Sequence, residues 1–366
     1  MYLLMGTAIL TPAPYKSRVA GGGCASKNYP GVYHRDRKAC DASQETLTTP
    51  LRSFIFWLST KKSITDAVSR QGMRHGFARR FVAGETLEEA LAVSSELCGA
   101  GRRIILNLLG ENVTTADEAR RAGASYLATL DALSRRSLDG DISIKPTQLG
   151  LDFDRALCFS LTGEIAAAAG TLGRGIEIDM EGSPYTERTI EIFEATRRLH
   201  ANVGLAIQAY LRRSAADLER LAQLASGGQQ VKIRLVKGAY HEPASAAFPK
   251  KSDVDANYRK LLDRLLPASS PGEFIAAIAT HDPALVGYAG ERIRQFGLTP
   301  QCYEFQMIYG IRRDLQQQIV SQGYPLRVYV PFGTAWCPYF MRRLSERPAN
   351  LWFVLRSIAA ELRSSR

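Results

Sequence analysis

The stretch RVYVPFGTAWCPYFMRRLSERPAN, residues 327–350, sets two adjacent guanidinium groups, Arg342 and Arg343, in one segment with Tyr339 and Glu346. Tyr339 and Arg343 stand four apart, Arg342 and Glu346 four apart, and Tyr339 and Glu346 seven apart. On a helix that spacing brings all four side chains to one broad face. A guanidinium pair presents forked donors that match a carboxylate or a phosphate. With a tyrosine as an amphipathic wall, the face reads as a small-anion site. The segment itself reads as a short strand, a glycine turn and an amphipathic helix.

The elements that must position such a face come before it. From about residue 84 onward, apolar strand-like runs alternate with helix-like runs. The runs are IILNLL (104–109), ISIKP (142–146), GIEIDM (175–180), VGLAIQA (203–209), VKIRLV (231–236), FIAAIAT (274–280), CYEFQ (302–306) and LRVYVP (326–331). Eight strand–helix alternations predict an α/β fold, a (β/α)8 TIM-like barrel with N-terminal helices. An open doubly wound sheet would carry a Gly-rich phosphate loop after its first strand, whereas here LGENV follows.

Barrel active sites form at the C-terminal ends of strands. Strand one is followed by Glu111, strand two carries Lys145 and strand three Asp179. Strand four ends at Gln208, strand five has Arg234 and then Lys237-Gly238-Ala239-Tyr240. Strand six ends in Thr280-His281, strand seven in Glu304 and Gln306, strand eight in Tyr329. Each alone is compatible with a satisfied structural residue; charges at successive tips that converge on one mouth must be paired or must bind something. The Lys237-Gly238-Ala239 run allows close backbone approach and, with His281 and Lys251, suits an anion such as a pyrophosphate. A tight turn between strand and helix reads equally well from the same residues.

Composition bounds the rest. The chain has 366 residues, 45% hydrophobic and 23% charged, as expected of a soluble globular protein. No run of about 20 apolar residues is present. The six cysteines, Cys24, Cys40, Cys98, Cys158, Cys302 and Cys337, show no CxxC spacing, so no metal site is expected and free thiols are. Of the formal net charge of +11, residues 1–82 carry most, with 13 Lys and Arg against 4 Asp and Glu. That basic segment lacks any nucleic-acid motif, so no nucleic-acid partner is expected. It reads either as a solvated face or as a membrane-surface face. Residues 1–50 are rich in Gly, Pro, Ser and Lys and are expected to be a poorly ordered extension. Residues 51–83 read as basic amphipathic helices, and 84–366 as the barrel.

These residues together resemble the proline dehydrogenase family. The matching pieces are LNLLGENV, SIKPTQLGLD, IEIDMEGSPYT, LAIQAYLRRS, KIRLVKGAYHE, PKKSDVDANY, IATHD, YEFQMIYG and the RVYVPFG…YFMRRLSERPAN segment, in family order over about residues 80–356. The resemblance implies a distorted barrel that holds FAD non-covalently and oxidises L-proline to Δ1-pyrroline-5-carboxylate by hydride transfer from C5 to flavin N5. Carried over by motif, Arg342 and Arg343 clamp the proline carboxylate and Lys145 adds a third positive charge. Tyr240, Tyr329 and Tyr339 wall the ring, and Glu346 pairs with an arginine as a gate. Asp179 and Arg234 match the residues nearest the chemistry. Asp179 is expected to orient Lys145 or Tyr329 or to serve as a structural ion-pair partner. Met180, Gln208, Arg234, Lys237, Gly238, Ala239, Lys251, Thr280, His281 and Gln306 match flavin-contacting positions.

The resemblance also implies a quinone as electron acceptor and a cytoplasmic location, with peripheral contact at the inner face of the cell membrane through the basic N-terminal segment. The sequence departs from the family's usual pattern at Pro146, after Lys145, and at His241, where bifunctional relatives often carry Trp. The competing reading is another FAD-binding barrel oxidoreductase, similar to methylenetetrahydrofolate reductase, which should lack the double-arginine helix.

Overall fold

In a computed structural model, the described residues are 78–225, 230–269 and 273–340. Within them, eight parallel strands close into a barrel in sequence order, β1 to β8, with β8 returning to β1. The strands are β1 (Arg103–Leu108), β2 (Gly140–Ile144), β3 (Ile176–Ile178), β4 (Val203–Gln208), β5 (Val231–Val236), β6 (Phe274–Ala279), β7 (Tyr303–Ile308) and β8 (Leu326–Phe332). Each expected strand is present, displaced by no more than two residues at either end. The helices are α1 (Leu87–Gly99), α2 (Ala116–Arg135), α3 (Arg155–Thr171), α4 (Thr186–Leu199), α5 (Ser214–Ala222), α6 (Lys251–Ser269), α7 (Pro283–Gln295) and α8 (Arg313–Ser321). None is long and apolar enough to cross a membrane.

Local sequence starts the helices cleanly. Thr86 and Thr115 each accept from the backbone three residues on, and Glu89 and Glu118 reach back to the cap, so α1 and α2 open with complete capping boxes. Asp154 and Asp282 cap α3 and α7.

The strands divide their residues by period two. One set is aliphatic and aromatic: Ile104 and Leu106, Ile142 and Ile144, Ile176 and Ile178, Ile233 and Leu235, Val328 and Val330. These join the buried core shared with the helices. The alternate set is polar: Asp141 and Ser143, Glu177, Lys232 and Arg234, Glu304 and Gln306, Arg327. The register sets Ser143 against Glu177 and Gln306 against Arg327. A barrel interior is usually filled by branched aliphatic side chains; this one is filled by a charge network. Glu304, expected at the mouth, belongs to that network. It sits two residues before Gln306 on β7, where Arg327 Nε reaches it at 2.9 Å and Lys232 Nζ at 2.9 Å.

The edge of the mouth is built by a second, smaller apolar cluster. Ala78, Phe81 and Val82 pack with Leu109, Ile311, Trp336, Cys337, Tyr339 and Phe340. Trp336 Nε1 donates to Glu85 at 2.9 Å. Gly310, at φ 76°, is required here, since a Cβ at that position would lie 1.6 Å from the Arg80 carbonyl oxygen. Of the segment 51–83, only 78–83 fall among the described residues; they form a 3-10 turn (Ala78–Arg80) and a short buried stretch.

Candidate active site

A cavity of about 540 Å³ opens at the C-terminal ends of the strands. Its wall contains Lys145, Asp179, Met180, Gln208, Arg234, Lys237, Gly238, Ala239, Tyr240, Lys251, Thr280, His281, Gln306, Tyr329 and Tyr339. Every site residue carried over from the family motifs that falls among the described residues is therefore in one wall; of the other strand-tip residues, Glu111 and Glu304 do not line it. Arg342, Arg343 and Glu346 lie outside the described residues; the helical turn that leads to them, 336–340, is held by the small apolar cluster and brings Tyr339 to the cavity.

Asp179 is the hub. Its Oδ1 accepts from Ser143 Oγ at 2.6 Å and Arg234 Nη1 at 2.6 Å. Its Oδ2 accepts from Lys145 Nζ at 2.7 Å and from the Tyr329 hydroxyl at 2.7 Å. Burial alone would push this carboxyl up, but the Lys145 and Arg234 charges outweigh it and hold the group well below the usual carboxylate range. A carboxylate with four donors is a poor proton acceptor and a strong anchor. Lys145 in turn stays charged: burial opposes its ammonium, and Asp179 more than restores it. Two of its three N–H groups are taken, by Asp179 and by Asn107 Oδ1 at 2.9 Å, which leaves one for a ligand. Arg234 ties this cluster to the charge layer below, with Nε on Glu177 at 2.5 Å, and its guanidinium lies 5.2 Å from the Tyr329 ring centroid.

Pro146 explains how Lys145 is presented. β2 stops at Ile144, Lys145 remains extended at φ −112° and ψ 123°, and Pro146 opens a 3-10 turn (Pro146–Leu149). Proline restricts the residue before it to that extended region and loses nothing at the first position of a helical turn. His241, the other departure from the family pattern, is exposed.

The opposite side of the cavity is a charge-balanced corner. Lys237 Nζ lies 2.5 Å from Asp255 and 2.8 Å from Asp282, and Lys251 Nζ lies 2.6 Å from Asp255. Gly238 turns at φ 121°, where a Cβ would meet the Tyr210 ring at 2.3 Å. Backbone can approach a ligand here as no other residue would allow. His281 Nε2 accepts the Ile308 backbone N–H at 2.9 Å, so that nitrogen carries no proton.

These residues fit a flavin. Gln306 spends its Nε2 on Glu177 and Glu304, which fixes the amide orientation and leaves Oε1 buried without a partner. A buried, unpaired acceptor in a cavity wall calls for a ligand N–H, of the kind an isoalloxazine ring carries.

Sequence reasoning missed several wall residues. Asn107 sits inside the apolar run IILNLL, and its Nδ2 is buried without a partner. Asp282 and Arg312 also line the cavity. Arg312 has φ 48° and ψ 53°, the left-handed region, and pairs with Asp314 at 2.7 Å. The polar residue inside an otherwise aliphatic run was the one available signal for Asn107.

The family model described as "Proline dehydrogenase" matches residues 90–356. Proline dehydrogenase 1 of Bacillus subtilis subsp. natto is 35% identical over 308 residues, which covers 84% of this chain and 99% of the relative. Proline dehydrogenase of Deinococcus radiodurans is 35% identical over 298 residues, covering 80% of this chain and 93% of the relative. Among solved structures, proline utilization A from Bdellovibrio bacteriovorus, inactivated by N-propargylglycine, superposes with a TM-score of 0.69 at 22% identity. That match covers 80% of this chain and 38% of the other, and it bears on the fold. With a closed barrel, a charged mouth and these identities along most of its length, the chain belongs to the proline dehydrogenase family.

Proposed function

We propose that this chain oxidises L-proline to Δ1-pyrroline-5-carboxylate with FAD as cofactor and passes the electrons to a quinone. The observation that carries the reading is Lys145, buried, charged and anchored by Asp179 and Asn107, with one N–H unspent in the cavity wall. A carboxylate is the natural ligand for that donor.

Met180, Gln208, Arg234, Lys237, Gly238, Ala239, Lys251, Thr280, His281 and Gln306 would hold the flavin. No side chain accepts a hydride, so the bound flavin would supply the acceptor for the one lost from C5 of the ring. The protein's own part is positional. Lys145, with Arg342 and Arg343, grips the carboxylate and fixes the ring within reach of its acceptor. Tyr240, Tyr329 and Tyr339 wall the ring and exclude water, and Glu346 gates the arginines. Asp179 keeps Lys145 charged and sets the Tyr329 hydroxyl; with both oxygens filled, it does not take the amine proton. Arg234 offers a fixed positive charge in the wall.

The test is an anaerobic visible spectrum of the purified protein before and after L-proline. Flavin absorbance that bleaches on addition is the expected result; a protein that binds FAD and is not bleached overturns the substrate. Arg343→Lys should raise the KM for L-proline at least about tenfold with FAD retained, because an ammonium lacks the bidentate fork. For the acceptor and the membrane, deletion of residues 1–50 should weaken both liposome association and quinone reduction.

A further inference from the structure

We propose that Glu181 is a positioning residue that locks the turn behind Lys145, and so sets how tightly the cavity holds a carboxylate. The inference rests on the reading that Lys145 binds the substrate carboxylate. Glu181 follows the Asp179 hub by two residues and is 3% exposed. Its Oε1 accepts the Thr147 hydroxyl at 2.6 Å and its Oε2 accepts the Thr147 backbone N–H at 3.0 Å. Its own carbonyl accepts Gln208 Nε2 at 2.9 Å. Thr147 Oγ1 also receives the Asn112 backbone N–H at 3.2 Å. One residue thus joins the tips of β2 and β3 through its side chain, β4 through its carbonyl and, through Thr147, the loop after β1.

The local sequence explains the need. Lys145 is the cap of the 3-10 turn and makes no side-chain capping bond. Pro146 has no N–H, so Thr147 owns the first orphan donor of the turn. Glu181 supplies the missing cap from the neighbouring strand. Both Thr147 donors point at it, and only an ionised carboxylate accepts both. The protonated acid accepts one and must turn its hydroxyl toward the other. Among the described residues, no basic side chain bonds to Glu181 to offset its burial.

The groups near it are Glu111 after β1, Tyr126 on α2, Lys145 at β2, Cys158 on α3 and Tyr185 after β3. Burial dominates, Thr147 and Lys145 oppose it, and the carboxyl is pushed up to about 7. The clamp therefore tightens as pH rises through neutrality.

The experiment is calorimetric titration of the flavin-loaded protein with cyclopentanecarboxylate, a ring acid with no oxidisable nitrogen, alongside KM and kcat for L-proline. Glu181→Ala should weaken cyclopentanecarboxylate binding and raise the KM about tenfold each, with kcat changed by less than about threefold. Glu181→Gln mimics the protonated acid, so its affinity should match the wild type at pH 6. From pH 6 to pH 8 the wild type should gain about threefold while Glu181→Gln stays flat. Thr147→Val removes the hydroxyl half of the clamp, keeps the turn's bulk, and should act in the same direction more weakly. It decides the matter if Glu181→Ala does not fold. Parallel pH profiles for wild type and Glu181→Gln, or affinity that rises toward acid in the wild type alone, overturn the proposal. Failure of the wild type to bind the ring acid overturns it together with the Lys145 reading. If the wild type binds the ring acid and L-proline does not bleach its flavin, the proposed activity falls, and the calorimetric comparison still decides Glu181.

Discussion

Two layers of charge lie inside the same barrel and serve different ends. The lower layer contains Asp141, Glu177, Lys232, Glu304 and Arg327; the upper contains Lys145, Asp179 and Arg234. In the lower layer the acids and bases are spent on one another. Glu177 meets Lys232 at 2.8 Å and Arg234 at 2.5 Å, while Glu304 meets Lys232 and Arg327. None of these five lines the cavity except through Arg234 above them, whereas all three upper residues do. The upper layer also keeps a surplus: an N–H on Lys145 and, beside it, the unpaired Nδ2 of Asn107. A buried charge network with nothing left over is structure. One with a donor left over at a cavity wall is a site.

That contrast can be broken from either layer. The largest expected effect is below: Glu304→Ala takes from buried Lys232 and Arg327 the carboxylate they share, leaving the first to Glu177 and the second to Asp141, and should cost about 3–5 kcal/mol in urea unfolding at neutral pH. Burial opposes Glu304's charge, but Arg327 and Lys232 prevail and hold its carboxyl below the usual value. Its contribution is therefore full above the ordinary carboxylate range and is lost as pH falls through the folded value. The Glu304→Ala penalty should shrink in acid. Above, Asp179→Asn, which keeps the side chain's volume and one acceptor, should cost less in unfolding than Glu304→Ala and yet lower kcat/KM for L-proline about a hundredfold, because Lys145, Arg234 and Tyr329 lose their common anchor. An equal split of stability and activity loss between the two variants would erase the distinction. The smallest expected effect is Tyr329→Phe, which removes one of four donors from Asp179 and should cost about three- to tenfold in kcat/KM with unfolding unchanged within about 1 kcal/mol.

Much of this was legible in the chain. The strands announce themselves through aliphatic periodicity, and the cavity residues through their place at strand ends. That is why Lys145, Asp179, Gln208, Arg234, Gln306 and Tyr329 could be named before any coordinates. Glu304 was misplaced because position near a strand's end does not give depth in a barrel. Depth comes from register, and β7 enters its neighbours with Glu304 against Ala277 and Gln306 against Ala279. Asp255 and Asp282 were illegible for a similar reason: they meet Lys237 from 18 and 45 residues away, and no local pattern encodes that. Glu181 was masked by its chemistry, since an acidic residue just past a strand ordinarily reads as solvated surface.

The shortest stave of the barrel is β3, only three residues, Ile176–Ile178, paired at three positions to each neighbour. β1 and β8, by contrast, share six paired positions. Backbone hydrogen bonding alone would make β3 the seam at which the cylinder parts. It is also riveted by ions: Glu177 within it and Asp179 just beyond it draw Lys145 from the end of β2 and, past β4, Lys232 and Arg234 from β5. The cohesion of the cylinder at that seam therefore leans on charge as well as on backbone pairing, and acid strong enough to protonate Glu177 and Asp179 should loosen it.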